Sequence, residues 1–167
     1  AGLAANSKQY DGTLTAALNS SGAFVSGVMA GDSISVNVSG ATGTFASKNA
    51  GNGIAVSVSN AANALTSGSG TDLGDYTLSS VTGLTANISP APLVISGLVA
   101  ANKVYDGGTA AALTAPNTAT ISGVVSGDTI TLNASGASGV FADKNVGTGI
   151  AVSATLSGNL VTVGSGT

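Results

Sequence analysis

The sequence predicts an all-β protein built as two tandem antiparallel sandwiches. Three observations carry that reading. The stretch Val25–Ser59 recurs without a gap as Ile121–Thr155, an offset of 96 positions. The recurring stretches alternate apolar and polar residues, the period of a half-buried strand. Glycine turns interrupt them at roughly 8–12 residue intervals, the punctuation of a sandwich or barrel. A period of about 95 residues is too long for a solenoid and is the size of a small domain.

The elements follow in order. Tyr10-Asp11-Gly12 reads as a turn, because Asp bonds its own backbone there and Gly supplies positive φ. Leu14–Leu18 begins either a helical turn or a strand. Ala23–Met29 reads as a strand, and Ala30-Gly31-Asp32 turns the chain. Across Ser33–Val38, Ile34, Val36 and Val38 face one way and Ser33, Ser35 and Asn37 the other; the second copy repeats the inward set as Ile130, Leu132 and Ala134. Ser39–Gly43 is a turn, Thr44–Ser47 a short strand burying Phe45, and Lys48–Asn52 another turn. Gly53–Ser59 alternates again with Ile54, Val56 and Val58 inward, matched by Ile150, Val152 and Ala154. Asn60–Gly74 is a loop. Tyr76–Ser79 and Leu84–Ile88 close the first domain. Two prolines in Pro90-Ala91-Pro92 cannot continue a ladder and make a stiff linker. Leu93–Gly97 opens the second domain.

The expected organisation is therefore a first repeat over residues 1–89, a linker at 90–92 and a second repeat over 93–167. Units of this size fit an immunoglobulin-like sandwich. A β-grasp-like sheet is the alternative and needs a helix, which only Leu14–Leu18 or Ala110–Leu113 could begin. Thr71 aligns with Thr167, so the second repeat has no counterpart of Asp72–Ile88, and the first has none of Leu93–Ser96. An open sheet edge is expected in the second domain where the first has its closing strands. The chain is read as a window on a longer array.

Composition limits the chemistry. Charged residues are 7% of the chain, against about 25% in ordinary domains. Arg, Glu, His, Cys and Trp are absent; the acids are seven Asp and the bases four Lys. A net charge of −3 without a basic patch argues against nucleic acid and anionic membranes. No apolar run reaches the ~18 residues needed to span a bilayer. Without Cys there is no disulfide framework. Aromatics are 4%, so cores rest on Val, Ile, Leu and Ala around Phe45 and Phe141.

Acid–base or nucleophilic catalysis needs a tunable group beside an orienting partner. The charged residues that recur are Lys8 and Lys103, Asp11 and Asp106, Asp32 and Asp128, and Lys48 and Lys144. Recurrence in both copies marks fold determinants, so no enzyme and no cofactor is expected. Lys48 and Lys144 are expected to pair with Asp11 and Asp106, or with Asp32 and Asp128. Asp72 and Asp75, three apart in one loop, are the weak calcium candidates, since carboxylates in Gly-rich loops are calcium's usual ligands. No metal site is otherwise expected.

Specific strings recur in fixed order. Lys8-Gln9-Tyr10-Asp11-Gly12 is followed by Ser26-Gly27-Val28, Gly31-Asp32, Phe45, Lys48-Asn49, Gly51, Gly53 and Gly74-Asp75-Tyr76-Thr77-Leu78. In the second copy the series is Lys103-Val104-Tyr105-Asp106-Gly107, Ser122-Gly123-Val124, Gly127-Asp128, Phe141, Lys144-Asn145, Gly147 and Gly149. This ordered set resembles the YDG repeat, a module found in tandem in bacterial surface proteins of the filamentous haemagglutinin type. The resemblance covers nearly the whole chain; the second copy departs from it by lacking the Gly74–Leu78 string. It implies an exported adhesin or filament on the outer surface of a bacterium, contacting neighbouring repeats, further copies or a host receptor. It implies no chemistry. The competing class is a glycan-binding module, calcium-dependent through Asp72 and Asp75.

Overall fold

The computed structural model describes residues 2–132, 137–156 and 161–163. It is all-β, with several antiparallel sheets and no α-helix among the described residues. Two compact units divide between Ala91 and Pro92, inside the predicted linker.

In unit 1 the strands are β1 (Ala4–Ala5), β2 (Lys8–Gln9), β3 (Thr15–Ala16), β4 (Leu18–Asn19), β5 (Ile34–Val36), β6 (Thr42–Phe45), β7 (Gly51–Ser59), β8 (Leu65–Ser67) and β9 (Leu84–Ser89). The main sheet has the order β2-β9-β7-β6-β3. It is antiparallel except where β2 lies parallel to β9. Two smaller ladders, β1-β4 and β5-β8, complete the unit. The core is built on Phe45 and Ile88, 1% and 2% exposed, with Ala16, Val56 and Ala86. Ala5 and Leu18, from the β1-β4 ladder, pack against it as in a sandwich.

Unit 2 contains β10 (Val94–Ser96), β11 (Val99–Ala100), β12 (Ala110–Thr114), β13 (Thr120–Ser122), β14 (Ile130–Leu132), β15 (Ala137–Phe141), β16 (Val152–Leu156) and β17 (Val161–Val163). Its main sheet has the order β11-β12-β15-β16, with β10-β13 and β14-β17 as separate ladders. The shared ladders recur in register. Ala5 opposite Leu18 becomes Ala100 opposite Leu113. Ala16 opposite Gly43 becomes Ala111 opposite Gly139. Phe45 opposite Val56 becomes Phe141 opposite Val152. Ile34 opposite Ser67 becomes Ile130 opposite Val163. The two matched glycines explain their own identity: a Cβ on Gly43 would stand 2.5 Å from the Ala16 carbonyl oxygen, and one on Gly139 3.0 Å from Leu113 and Val152 side chains.

The predicted inward sets hold at Ile34, Val36, Val38, Ile54, Val56, Val58, Ile130, Leu132, Ile150 and Val152, all buried or half-buried. Ala154 is exposed, contrary to expectation: the strand that would cover that face in unit 1 has no counterpart here. Ala134 lies outside the described residues. Leu14–Leu18 resolves into strands, and Ala110–Thr114 is one continuous strand, so the helix a β-grasp would need is missing at both places.

Three loop and strand assignments change. Ala23–Met29 forms no strand. Its counterpart β13 is a strand because β10 pairs with it, and unit 1 offers no such neighbour among the described residues. Tyr76–Ser79 is also not a strand; Tyr76 follows a 3-10 turn over Leu73–Asp75. Asn60–Gly74, expected to be loop, contains β8, whose partner is β5.

The largest difference between the units is the closing strand. In unit 1, β9 pairs with β7 through Ile54–Val56 and again at Gly51, across a bulge. In unit 2 no strand lies beyond β16 among the described residues. The strand β7 has nine residues; β16 starts only at Val152, and residues 147–151 are not strand. Lys103–Val104, the counterpart of β2, is not strand either. Phe45 is fully buried, but Phe141 is only half-buried, which corrects the expectation of two equally central rings.

Phe45→Ala should therefore cost ~3–5 kcal/mol, the range for truncating a fully buried Phe. Phe141→Ala should cost clearly less. Residue-resolved amide exchange on the two variants reads each unit separately; equal losses would contradict the difference in burial.

Candidate functional site

The recurring charged residues converge on one local arrangement in each unit. In unit 1 the Lys8 ammonium donates to Asp11 Oδ1 at 2.7 Å, to the Thr13 carbonyl at 2.8 Å and to Thr13 Oγ1 at 2.9 Å. Asp11 Oδ1 also accepts from the Thr13 N–H and hydroxyl, each at 2.9 Å. The ammonium stands 5.4 Å from the centre of the Phe45 ring, within cation–π range. Unit 2 repeats this. Lys103 donates to Asp106 Oδ1 at 2.7 Å and to the Gly108 carbonyl at 2.8 Å, the Gly108 N–H donates to Asp106, and the ammonium lies 5.8 Å from the Phe141 ring centre. Tyr10 packs half-buried on the core of unit 1, whereas Tyr105 is 57% exposed. Gly12 and Gly107 adopt φ of 76° and 78° to complete the turn.

These contacts supply the lysine that the recurring carboxylates use. Asp11 and Asp106 are engaged by Lys8 and Lys103, the lysines of their own Tyr-Asp-Gly strings, and not by Lys48 or Lys144. A pair three residues apart closes within one turn, whereas Lys48 would have to reach across the sheet. Lys48-Asn49 and Lys144-Asn145 instead sit in turns held from one side: the Asn49 N–H donates to Ser47 Oγ and the Asn145 N–H to Asp143 Oδ1.

The Lys8 bond and the Thr13 donors hold the Asp11 carboxyl down at about 2, well below its ordinary 3.8. Lys103 and the Gly108 N–H lower Asp106 likewise.

Asp32 serves a second knot. The Tyr76 hydroxyl donates to Asp32 Oδ2, and the Met29 N–H donates to the Tyr76 oxygen at 3.1 Å. Thr71 Oγ1 donates to Asp32 Oδ1 and accepts the Ser33 N–H at 2.9 Å. The carboxylate raises Tyr76 above the ordinary 10, because ionising the phenol would put two negative oxygens in contact. The turn itself recurs: the Asp32 N–H donates to the Met29 carbonyl, and the Asp128 N–H to that of Val125.

Asp72, the first calcium candidate, caps the 3-10 turn by accepting the Gly74 N–H at 2.8 Å, and Asp75 lies within that turn. Among the described residues no three acidic side chains gather as a metal site. The sequence reading missed Thr13, Thr71 and Asn87. Thr13 and Thr71 are uncharged hydroxyls without a pattern of their own. Asn87 looks like an ordinary outward strand residue, yet its Oδ1 accepts the Gly53 N–H at 2.8 Å and so staples β9 to the bulge of β7. No helix among the described residues is long and apolar enough to cross a membrane.

With the two copies shown to fold alike, their likeness to known modules becomes decisive. The chain matches the YDG domain over residues 1–83 and again over residues 89–162. It belongs to the YDG domain family. No curated protein and no solved structure matches the chain. The two YDG copies share the Lys-Asp-Phe arrangement. The Tyr76 knot and the closing strand occur in the first copy only, among the described residues.

Two predictions follow from these bonds. Asp11 has a depressed folded value, so its contribution to stability is present above pH ~4 and lost as pH falls toward 2. Asp11→Asn should remove that part of the acid sensitivity of unit 1, read as a flatter melting temperature between pH 4 and 2. An unchanged acid limb would rule out the Lys8–Asp11 bond as its source. Separately, alkaline spectrophotometric titration should show a tyrosine ionising above pH 10 that disappears in Tyr76→Phe and moves down in Asp32→Asn. Persistence of that titration in Tyr76→Phe would place it elsewhere.

Proposed function

We propose that this YDG protein is a structural and adhesive repeat module of an exported bacterial surface protein or filament, and not an enzyme. The observation that carries the reading is how the recurring polar residues are used. Lys8, Lys103, Asp11, Asp106 and Asp32 are each bonded within their own unit, where they close turns and brace the ring beneath. What remains on the surface is mainly Ser, Thr, Asn and Gly, with little charge. Such a unit extends a chain and presents a face whose contacts depend little on salt. Its partners are neighbouring repeats, further copies or a host receptor, and its location is outside the outer membrane. Support comes from tandem YDG matches covering nearly the whole chain.

The glycan-binding alternative would use the shallow polar depression of unit 1 lined by Ser7, Lys8, Gln9, Asn52, Asn87 and Ser89. No aromatic lines it, and sugar faces usually stack on one, so the structural reading is preferred. An antibody raised against residues 1–167 should label intact, unpermeabilised cells of the source bacterium, and external protease should remove the label. Labelling seen only after lysis would sink the surface role, and dose-dependent binding on a glycan array would favour the alternative.

A further inference from the structure

The unpaired edge of unit 2 is a shaped acceptor for a strand, and unit 1 shows what fits it. In unit 1 the edge of β7 is occupied by β9, with Leu84, Ala86 and Ile88 turned toward the core and Thr85, Asn87 and Ser89 outward. Its register sets Val56 opposite Leu84, Ile54 opposite Ala86 and Gly51 opposite Ile88. Parallel pairing with β2 and the Tyr10 N–H bond to the Ser89 carbonyl, 2.8 Å, fix the far side.

Unit 2 keeps the receiving half of this arrangement. The Ala142 N–H donates to the Ala151 carbonyl, as the Ala46 N–H does to that of Ala55. Backbone groups alternate in direction along a strand, so those of Ile150 and Val152 point away from β15, toward the open side. The bulge is already formed. Gly149 holds φ 65°, as Gly53 holds φ 62° where Asn87 bonds it. The excess exposure is confined to the same place. Phe141, Val152 and Tyr105 are each more exposed than Phe45, Val56 and Tyr10. Val104 and Val146, 89% and 88% exposed, lie in the two segments whose counterparts flank β9. By contrast Ala111, at the opposite strand of the sheet, is as buried as Ala16.

We infer that the β16 edge of unit 2 binds, by strand addition, an uncharged extended segment of another molecule that carries the Leu84–Ser89 pattern. That pattern is apolar residues at alternate positions with Asn at the fourth. The segment runs antiparallel to β16 and parallel to Lys103–Val104. Its apolar side covers Phe141 and Val152, and its Asn meets the Gly149 N–H. Main-chain bonds to Ile150 and Val152 supply the affinity and the alternating side chains the register. The inference deepens the partner named in the surface-module reading, but it rests on the comparison of the two units and not on where the protein resides.

The test uses the whole chain, residues 1–167, and a fluorescent peptide of residues 81–91. Anisotropy should show saturable binding, weakened at least tenfold when the peptide carries Ala86→Asp and Ile88→Asp. Amide exchange at Ile150 and Val152 of the unaltered chain should slow at least tenfold on adding peptide, a readout that needs no variant to fold. Val152→Asp in the chain should abolish binding. No saturation, indifference to the two peptide substitutions, or spectral changes at Gly51 and Val56 in place of Gly147 and Val152 would overturn the inference. A chain that protects Ile150 and Val152 by dimerising without peptide would also overturn it, by giving the edge to a second copy. Failure of peptide binding would leave cell-surface labelling unaffected, so the two readings fail separately.

Discussion

One ring in each unit has to be covered on a sheet made mostly of small side chains. Phe45 is the largest side chain in the core of unit 1, and it sits on β6, one strand in from β7. Val56 opposite it and Ala16 beyond it are too small to enclose it. The enclosure is finished by Ala86 and Ile88 of β9, together with Lys8 standing over the ring. The other closing features are consequences of holding β9 in place. The β2 strand lies beside it, Asn87 fastens it to the bulge, and the length of β7 beyond Ile54 exists to meet it.

The lysine over the ring links the charged string to the core. A lone ammonium on so uncharged a surface would be well solvated and mobile. Here it is gathered by Asp11 and by the carbonyl and hydroxyl of Thr13, all within 2.9 Å, and its methylene stem lies along the sheet. The side chain is only 18% exposed, yet its charge is matched locally. That explains why a Lys, an Asp and a Gly at this spacing recur beside a Phe from a distant strand. They are one packed group, and the same group forms around Phe141 although its ring is less covered.

Much of this was legible. The gapless match of 25–59 with 121–155 implied identical registers, and the ladders agree residue by residue. Period-two alternation assigned the faces of β5, β7 and β14 correctly, because one face of each is wet. Legibility failed where a strand depends on its neighbour. Residues 23–29 and 120–122 have similar apolar content, yet only the second is a strand, since only it has β10 beside it. The Tyr76 segment also reads as β by propensity. A buried carboxylate acceptor, Asp32, and the Met29 N–H claim its hydroxyl and hold it as the end of a turn. Charge pairing was misassigned for a related reason: sequence shows which lysines recur, while only the fold shows that Lys8 and Asp11 are close enough to close a turn.

The same dependence of a strand on its neighbour governs the second unit. Residues 147–151 have the same glycines and the same Ile as the start of β7, but they do not register as strand. Local preference is therefore not what makes β7 nine residues long; pairing with β9 is. Gly149 nevertheless keeps the left-handed conformation of Gly53. A turn that holds its shape without the strand it serves is set by the chain on its own, through glycines that accept positive φ at no steric cost. The receiving geometry thus precedes the strand. What the added strand supplies is the ladder and the apolar cover, which is why the two units differ in length of strand and burial of the ring while agreeing in every register they share.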